Sequence, residues 1–249
     1  MRRSYLSLLM IFILLQVNLT LSAPPRTIVV HTGSPCTSGD AYFTSLSGAI
    51  SSANPGDIIR VCPGTYRDNV RVTKSLLISG IGDPSSVIVE AYNTTKHVIE
   101  VSNTRNVTIR NLTVRGAIGS QQSGIYVYYT SESSLENIIA TGSYFGINIV
   151  SSSSINVSNL VSENNINAGV NFESSVACSF SNLRLRGNRI GFLSLLSSDY
   201  RVMSAEIEGN SEGGLLLKYS SNNNLTGIKA ERNGWYGIYL QKSSGNVIS

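Results

Sequence analysis

The chain has 249 residues, of which 41% are hydrophobic and only 14% charged. That is enough to bury a sizeable core, and recurring short runs of Ile, Val and Leu exclude a disordered polypeptide. The formal charge is +4, but without Arg2 and Arg3 at the start seventeen basic residues face fifteen acidic ones, so no field argues for nucleic acid as a partner.

Residues 1–22 read as an export signal. Arg2 and Arg3 supply the positive start, and Leu6 to Leu21 is apolar but interrupted by Ser7, Gln16, Asn18 and Thr20. The stretch is short for a membrane span, and Ser22 and Ala23 are small, which puts cleavage after Ser22. An uncleaved anchor is the alternative. Either way the rest, 23–249, is expected outside the cytoplasm, secreted or at the cell surface.

Export makes the cysteines informative. Cys36 and Cys62 flank the first structured segment and are predicted to pair, leaving Cys178 as a buried free thiol in an apolar slot. Three cysteines with His31 and His97 form no recognisable metal spacing, so neither a metal nor a cofactor is expected. Beyond the leader, five sequons, at Asn93, Asn106, Asn111, Asn156 and Asn224, permit glycosylation in a competent host.

The first predicted element is a short amphipathic helix over about 42–53, with Tyr42-Phe43, Leu46 and Ala49-Ile50 at helical spacing, placed to plug the N-terminal end of a stack of strands. Strands are expected at 74–79 (KSLLIS), 87–91 (VIVEA), 98–101 and 111–114, with a loop from Gly116 to Ser123. From residue 124 a strict repeat takes over. Gly124, Gly146, Gly169, Gly191, Gly214 and Gly237 are 22 or 23 residues apart, and each opens a similar run: GIYV, GINI, GVNF, GFLS, GLLL, GIYL. Asn165, Asn188, Asn210 and Asn233 keep the same period, as do Asn137, Asn159 and Asn182.

Apolar residues alternate in short bursts within each unit, which is strand periodicity, and no room is left for a useful helix. A lone strand cannot bury its apolar side, whereas stacking unit on unit, about 4.8 Å apart, buries a continuous interior. The sequence therefore predicts an all-β fold: a single-stranded parallel β-helix with three strands and three turns per coil. The head glycines and tail asparagines are read as residues that accept positive φ, with Asn165, Asn188, Asn210 and Asn233 stacking as a structural amide ladder.

At the residue level a family resemblance emerges. AISSANPGDIIRVCPGTYRDNVRVTKSLLISGIG resembles the first turns of secreted right-handed β-helix proteins of the pectin-lyase-like class. SSNNNLTGIKAERNGWYGIYL resembles the repeat of the NosD-type group, which is associated with carbohydrate binding and sugar hydrolysis. The resemblance implies a right-handed helix but not an activity, since such proteins include polysaccharide lyases, hydrolases, methylesterases, epimerases, copper-assembly factors and surface proteins.

The catalytic signatures of those enzymes are absent. Gly64-Thr65-Tyr66-Arg67-Asp68 resembles a methylesterase scaffold element, but QDTL, DFIFG, NTD, DD, GHG and DPH do not occur, and neither histidine is positioned to serve. In the repeat register Arg184, Glu206 and Lys229 share one outward slot, and Glu163, Arg186, Glu208 and Glu231 another. Alternating sign, broken only at Glu208–Glu231, makes them a structural ladder rather than a catalytic pair. A copper-assembly role would call for soft or imidazole ligands, and beyond the leader the chain offers one methionine, Met203, and two separated histidines.

A binding reading remains. Tyr126, Tyr128 and Tyr239 fall at outward positions of the first strand in their coils, and Trp235 and Tyr236 just before a repeat glycine. These five are the candidate glycan contacts, because sugar rings stack on aromatic side chains. The sequence points to a non-catalytic exported scaffold contacting a polysaccharide or envelope glycan, with a polysaccharide-active enzyme as the alternative. The last residues, Asn246-Val247-Ile248, follow the repeat into a second strand without a closing cap, so a further coil, or a partner chain or domain over the last one, is expected.

Overall fold

In the computed structural model, residues 24–249 are described; the export-signal reading of 1–22 lies outside them. The strands form two all-parallel sheets, one of thirteen strands and one of eight. No helix among the described residues is long and apolar enough to cross a membrane. The architecture is a parallel β-helix.

One coil shows the construction. Ser123–Tyr128 lies in the smaller sheet and Ser131–Thr141 in the larger one, and Phe145–Val150 returns to the smaller sheet. Each strand pairs with its counterpart one coil on: Ile125 with Ile147, Leu135 with Val157, Ile138 with Leu160. The long strand bends at Asn137, where φ is 53°, so each coil has three straight runs. Asn111, Asn159 and Asn182 occupy the same corner at φ 56°, 53° and 53°, followed by Ser204 and Gly227. Asparagine tolerates this left-handed conformation better than most residues. The corner amides also bond between coils: Asn137 Nδ2 donates to Asn111 Oδ1 at 3.0 Å, and Asn182 Nδ2 to Asn159 Oδ1 at 3.1 Å.

The head glycines have a different cause from the one expected. None of Gly124, Gly146, Gly169, Gly191, Gly214 and Gly237 has positive φ. From Gly124 to Gly214 they are needed because the next coil passes too close: a Cβ on Gly169 would stand 2.8 Å from the Gly191 carbonyl oxygen and 2.9 Å from Asn188 Nδ2. Positive φ is likewise absent from Asn165, Asn188, Asn210 and Asn233. These four point inward, nearly fully buried except for Asn233 at the end. Asn165 Nδ2 donates to Asn188 Oδ1 at 3.0 Å, Asn188 to Asn210 at 3.1 Å and Asn210 to Asn233 at 2.9 Å. Each acceptor oxygen also takes the backbone N–H of the preceding asparagine in the row. These four amides are therefore engaged in the ladder and do not form a polar binding face.

A second inward ladder runs through Thr130, Ser152, Ser175, Ser197, Ser220 and Ser243. Each residue's backbone N–H donates to the hydroxyl one coil on, at 3.0–3.2 Å. Between the ladders the core is aliphatic, with an aromatic centre in which Phe172, Phe180 and Phe192 meet edge-to-face at 5.1–5.2 Å and Tyr200 packs among them. Such pairs add roughly 0.5–1.5 kcal/mol each beyond burial. Cys178 lies buried in the same wall and is not bonded to another cysteine. Burial pushes its thiol pKa up to about 11, against weaker lowering by backbone hydrogen bonds.

At the N-terminal end the helix is Leu46–Ser52, shorter than the expected 42–53. Ala41–Phe43 instead adds a parallel strand to Thr27–Val30, because an extended segment there covers an otherwise open sheet edge. Ser45 accepts from Gly48 N to cap the helix start, and Lys74 Nζ donates to the carbonyls of Ile50, Ser51 and Ala53 at its end. Some of the unpaired backbone groups at each helix end are thereby satisfied. Leu46, Ala49 and Ile50 bury onto the first coil. Cys36 and Cys62 are joined by a disulfide across 26 residues of sequence.

Candidate functional site

The outward face of the smaller sheet carries side chains in rows, because parallel in-register pairing stacks equivalent positions. One row runs Glu100, Tyr126, Asn148, Asn171, Leu193, Leu216, Tyr239. Beside it runs Ser102, Tyr128, Val150, Glu173, Leu195, Lys218. Phe145, Ala168 and Ile190 begin their strands and pack with Leu193 into an apolar cluster separate from the core. This cluster walls one side of the sheet. The result is a groove of about 500 Å³ lined by His97, Gln122, Tyr126, Tyr144, Phe145, Asn148, Asn167, Asn171, Glu173 and Leu193, among others.

The floor is polar. Asn148 and Asn171 are only 5% and 3% exposed although they sit on an outward row. Asn171 Nδ2 donates to Asn148 Oδ1 at 2.8 Å, and Asn171 Oδ1 has no hydrogen-bond partner.

At one end His97 stacks on Tyr126, ring centroids 4.2 Å apart and planes 13° apart, and Tyr126 lies 5.7 Å from Tyr128. The Ser123 backbone N–H donates to His97 Nδ1 at 3.1 Å, which fixes Nδ1 as acceptor and puts the proton of the neutral ring on Nε2. Burial lowers the His97 pKa, partly opposed by Glu100. Burial pushes the Tyr126 phenol up to about 12, with the nearby Tyr128, Glu100 and Glu173 acting in the same direction. Glu100 is held by Arg71, whose Nε lies 3.0 Å from Oε1, and by the Ser102 hydroxyl at 2.9 Å.

The rim is a hydrogen-bonded chain crossing coils. Asn167 Nδ2 donates to the Tyr144 hydroxyl at 3.0 Å, Arg189 donates to Asn167 Oδ1 at 2.9 and 3.1 Å, and Arg189 also pairs with Glu212.

The five aromatic candidates do not converge. Tyr126 and Tyr128 sit at the histidine end. Tyr239 lies five coil steps away in the same row, or about 24 Å at 4.8 Å per step. Trp235 is 83% and Tyr239 46% exposed, whereas the Tyr236 ring lies over Gly213 in the space a Cβ would need. The Tyr236 hydroxyl is buried without a partner, which makes it a packing residue. His97, Tyr144 and Asn167, set aside or left unassigned in the sequence, line the groove instead. Their signal was the register that puts Glu100 beside Tyr126, obscured by the longer loop between those two coils.

Of the sequon asparagines, Asn93, Asn106, Asn156 and Asn224 are exposed and Asn111 is part-buried in the corner ladder. Asn93 Oδ1 accepts from both the N–H and the hydroxyl of Thr95, at 2.9 and 2.7 Å. The carboxylates of the ladder lie on the larger sheet, away from the groove. Arg184 pairs with Glu206 at 3.3 Å, Arg186 with Glu163 at 2.6 Å, Lys229 with Glu231 at 3.4 Å, and Arg232 with Glu208.

The family described as periplasmic copper-binding protein (NosD) matches residues 85–249. No curated protein matches the chain. Solved structures that share its fold at low identity include three that act on pectin or pectate by name. A pectin methylesterase in complex with a hexasaccharide is 13% identical over 86% of this chain and 80% of that one, with TM-score 0.55. Pectin methylesterase PemA from Erwinia chrysanthemi is 12% identical over 88% and 82%, with TM-score 0.54. Pectate lyase Pel9A is 14% identical over 90% and 78%, with TM-score 0.53.

Proposed function

This chain belongs to the NosD family of parallel β-helix proteins, and from that premise we propose that it is an exported, non-catalytic scaffold that contacts glycans through the groove on its smaller sheet. The observation that carries the reading is the groove itself, where Tyr126 closes one end of the amide floor of Asn148 and Asn171, and Tyr144 and Phe145 stand beside it. Sugars are recognised by that combination of apolar ring faces and oriented hydrogen-bonding groups.

The placement of carboxylates supports binding over hydrolysis. Glu100 and Glu173 both reach the groove region, but their strands are three coil steps apart, or about 14 Å at 4.8 Å per step. Paired carboxyl groups in glycoside hydrolysis stand about 5–9.5 Å apart. Glu206 and Glu208 are each engaged with an arginine.

The copper binding that the family description names does not fit the donors present. Among the described residues no three His, Cys, Asp or Glu side chains converge. Cys36 and Cys62 are consumed in a disulfide and Cys178 is buried in the core. Met203 stands on the outward face of the larger sheet, in the row of Ser181 and Thr226. Soft-ligand coordination of copper needs several such donors together.

The test is retention of the secreted chain on a panel of immobilised polysaccharides. Tyr126→Ala with Tyr144→Ala is expected to lower retention at least tenfold, while Trp235→Ala leaves it within threefold. Retention lost with Trp235→Ala and kept in the groove variant would move the contact to the other end of the sheet.

A further inference from the structure

The charge lining the groove selects among glycans. Its floor offers a buried acceptor, Asn171 Oδ1, with no partner in the protein, and a buried carbonyl oxygen favours a ligand that brings a donor. Its side carries Glu173, which forms no ion pair among the described residues. No lysine or arginine lines it, and His97 is held as the neutral tautomer by the Ser123 N–H.

Of the cations nearby, Lys96 lies beside His97 and Gln122 in the adjoining hollow, at the far end from Glu173, and two arginines are already engaged. Arg71 is paired with Glu100, and Arg189 is bonded to Asn167 and Glu212. Lys218 stands two coil steps beyond Glu173 in its row, with its ammonium over the Tyr219 ring. A polyuronate would bring carboxylates beside Glu173 with no cation to receive them, and like charges in a part-enclosed groove repel.

Resting on the glycan-binding function, we propose that the groove takes an uncharged, hydroxyl-rich glycan and rejects polyuronates. One sugar hydroxyl donates to Asn171 Oδ1 and another to the Glu173 carboxylate, with an apolar sugar face against Tyr144 and Phe145.

The experiment compares binding of the full secreted chain to neutral polymers (a galactan, a mannan, a xylan) and to polygalacturonate, at low and moderate salt. The expected result is binding to at least one neutral polymer, changing less than threefold with salt, and at least tenfold weaker binding to polygalacturonate. Glu173→Lys is expected to raise polygalacturonate binding at least tenfold. Asn171→Leu is expected to weaken the neutral polymer at least fivefold, and Glu173→Gln, a surface change that leaves folding intact, at least threefold. Polygalacturonate bound as tightly as any neutral polymer overturns this inference and leaves the glycan reading standing. Neutral binding unaffected by Glu173→Gln also overturns it. No binding to any polymer by a chain that melts cooperatively overturns both.

Discussion

The imidazole of His97 lies flat on the ring of Tyr126, 4.2 Å between centroids, while its Nδ1 receives the Ser123 N–H that opens the next coil. A full coil, with the strands Ile99–Ser102 and Thr108–Arg115 and a loop after them, separates these residues in sequence, and the stack fastens the irregular coils to the regular ones at the mouth of the groove. The acceptor role of Nδ1 exists only while the ring is neutral.

That contact predicts a pH dependence. Burial depresses the folded-state pKa of His97 below its ordinary 6.5, so the unfolded chain binds the proton first as pH falls. The contribution of His97 to stability is therefore present above about pH 6.5 and is lost progressively below it. His97→Asn keeps an acceptor near the Ser123 N–H without titrating. The melting temperature of the wild type is expected to fall more than that of His97→Asn between pH 7.5 and 5, and parallel curves would refute the assignment.

The inward asparagines give a stability prediction. Asn188 accepts from Asn165 N and Nδ2 at 3.0 Å each, and donates to Asn210 Oδ1 and to the Ser162 carbonyl at 3.1 Å each. Asn188→Ala leaves several buried polar groups unpaired at once, each costing about 1–3 kcal/mol, with partial relief by relaxation. A loss of about 2–5 kcal/mol is expected in urea denaturation. A loss under about 1 kcal/mol would show that the ladder contributes little.

Two glycines separate steric need from conformational need. Gly169→Ala drives a methyl against the Gly191 carbonyl and the Asn188 amide, and overpacking of this kind costs about 1–3 kcal/mol. Gly142 has φ of 59° with nothing within 4 Å of a built Cβ, so Gly142→Asn is expected to stay within about 1 kcal/mol of wild type. Thermal melts of the two variants decide the matter, and the reverse order would contradict it.

How far the sequence revealed this protein depends on the kind of signal each feature leaves. The coil could be read because Gly124 through Gly237 and two sets of asparagines repeat with one period, and stacking makes that period visible. The physical cause of the glycines could not be read, because close approach and positive φ select the same residue. The serine ladder from Thr130 to Ser243 leaves no readable signal, since serine on a corner looks the same whether it faces water or the interior. The groove was obscured because half of it comes from the irregular coils around His97 and Glu100, where no period announces the register. Aromatic identity alone overreached: it grouped Tyr126 with Tyr239, which the stack holds five coils apart, and counted Tyr236, which packs over Gly213.

The central claim is that the groove holds glycan without cleaving it. The most direct measurement incubates the purified chain with each polymer that it retains, then follows polymer length by size-exclusion chromatography alongside assays for new reducing ends and unsaturated products. Unchanged chain length, with retention lost in Tyr126→Ala/Tyr144→Ala, is the predicted result. Shortening of the polymer that disappears in Glu173→Gln, Glu206→Gln or Glu208→Gln would contradict it and make the chain an enzyme.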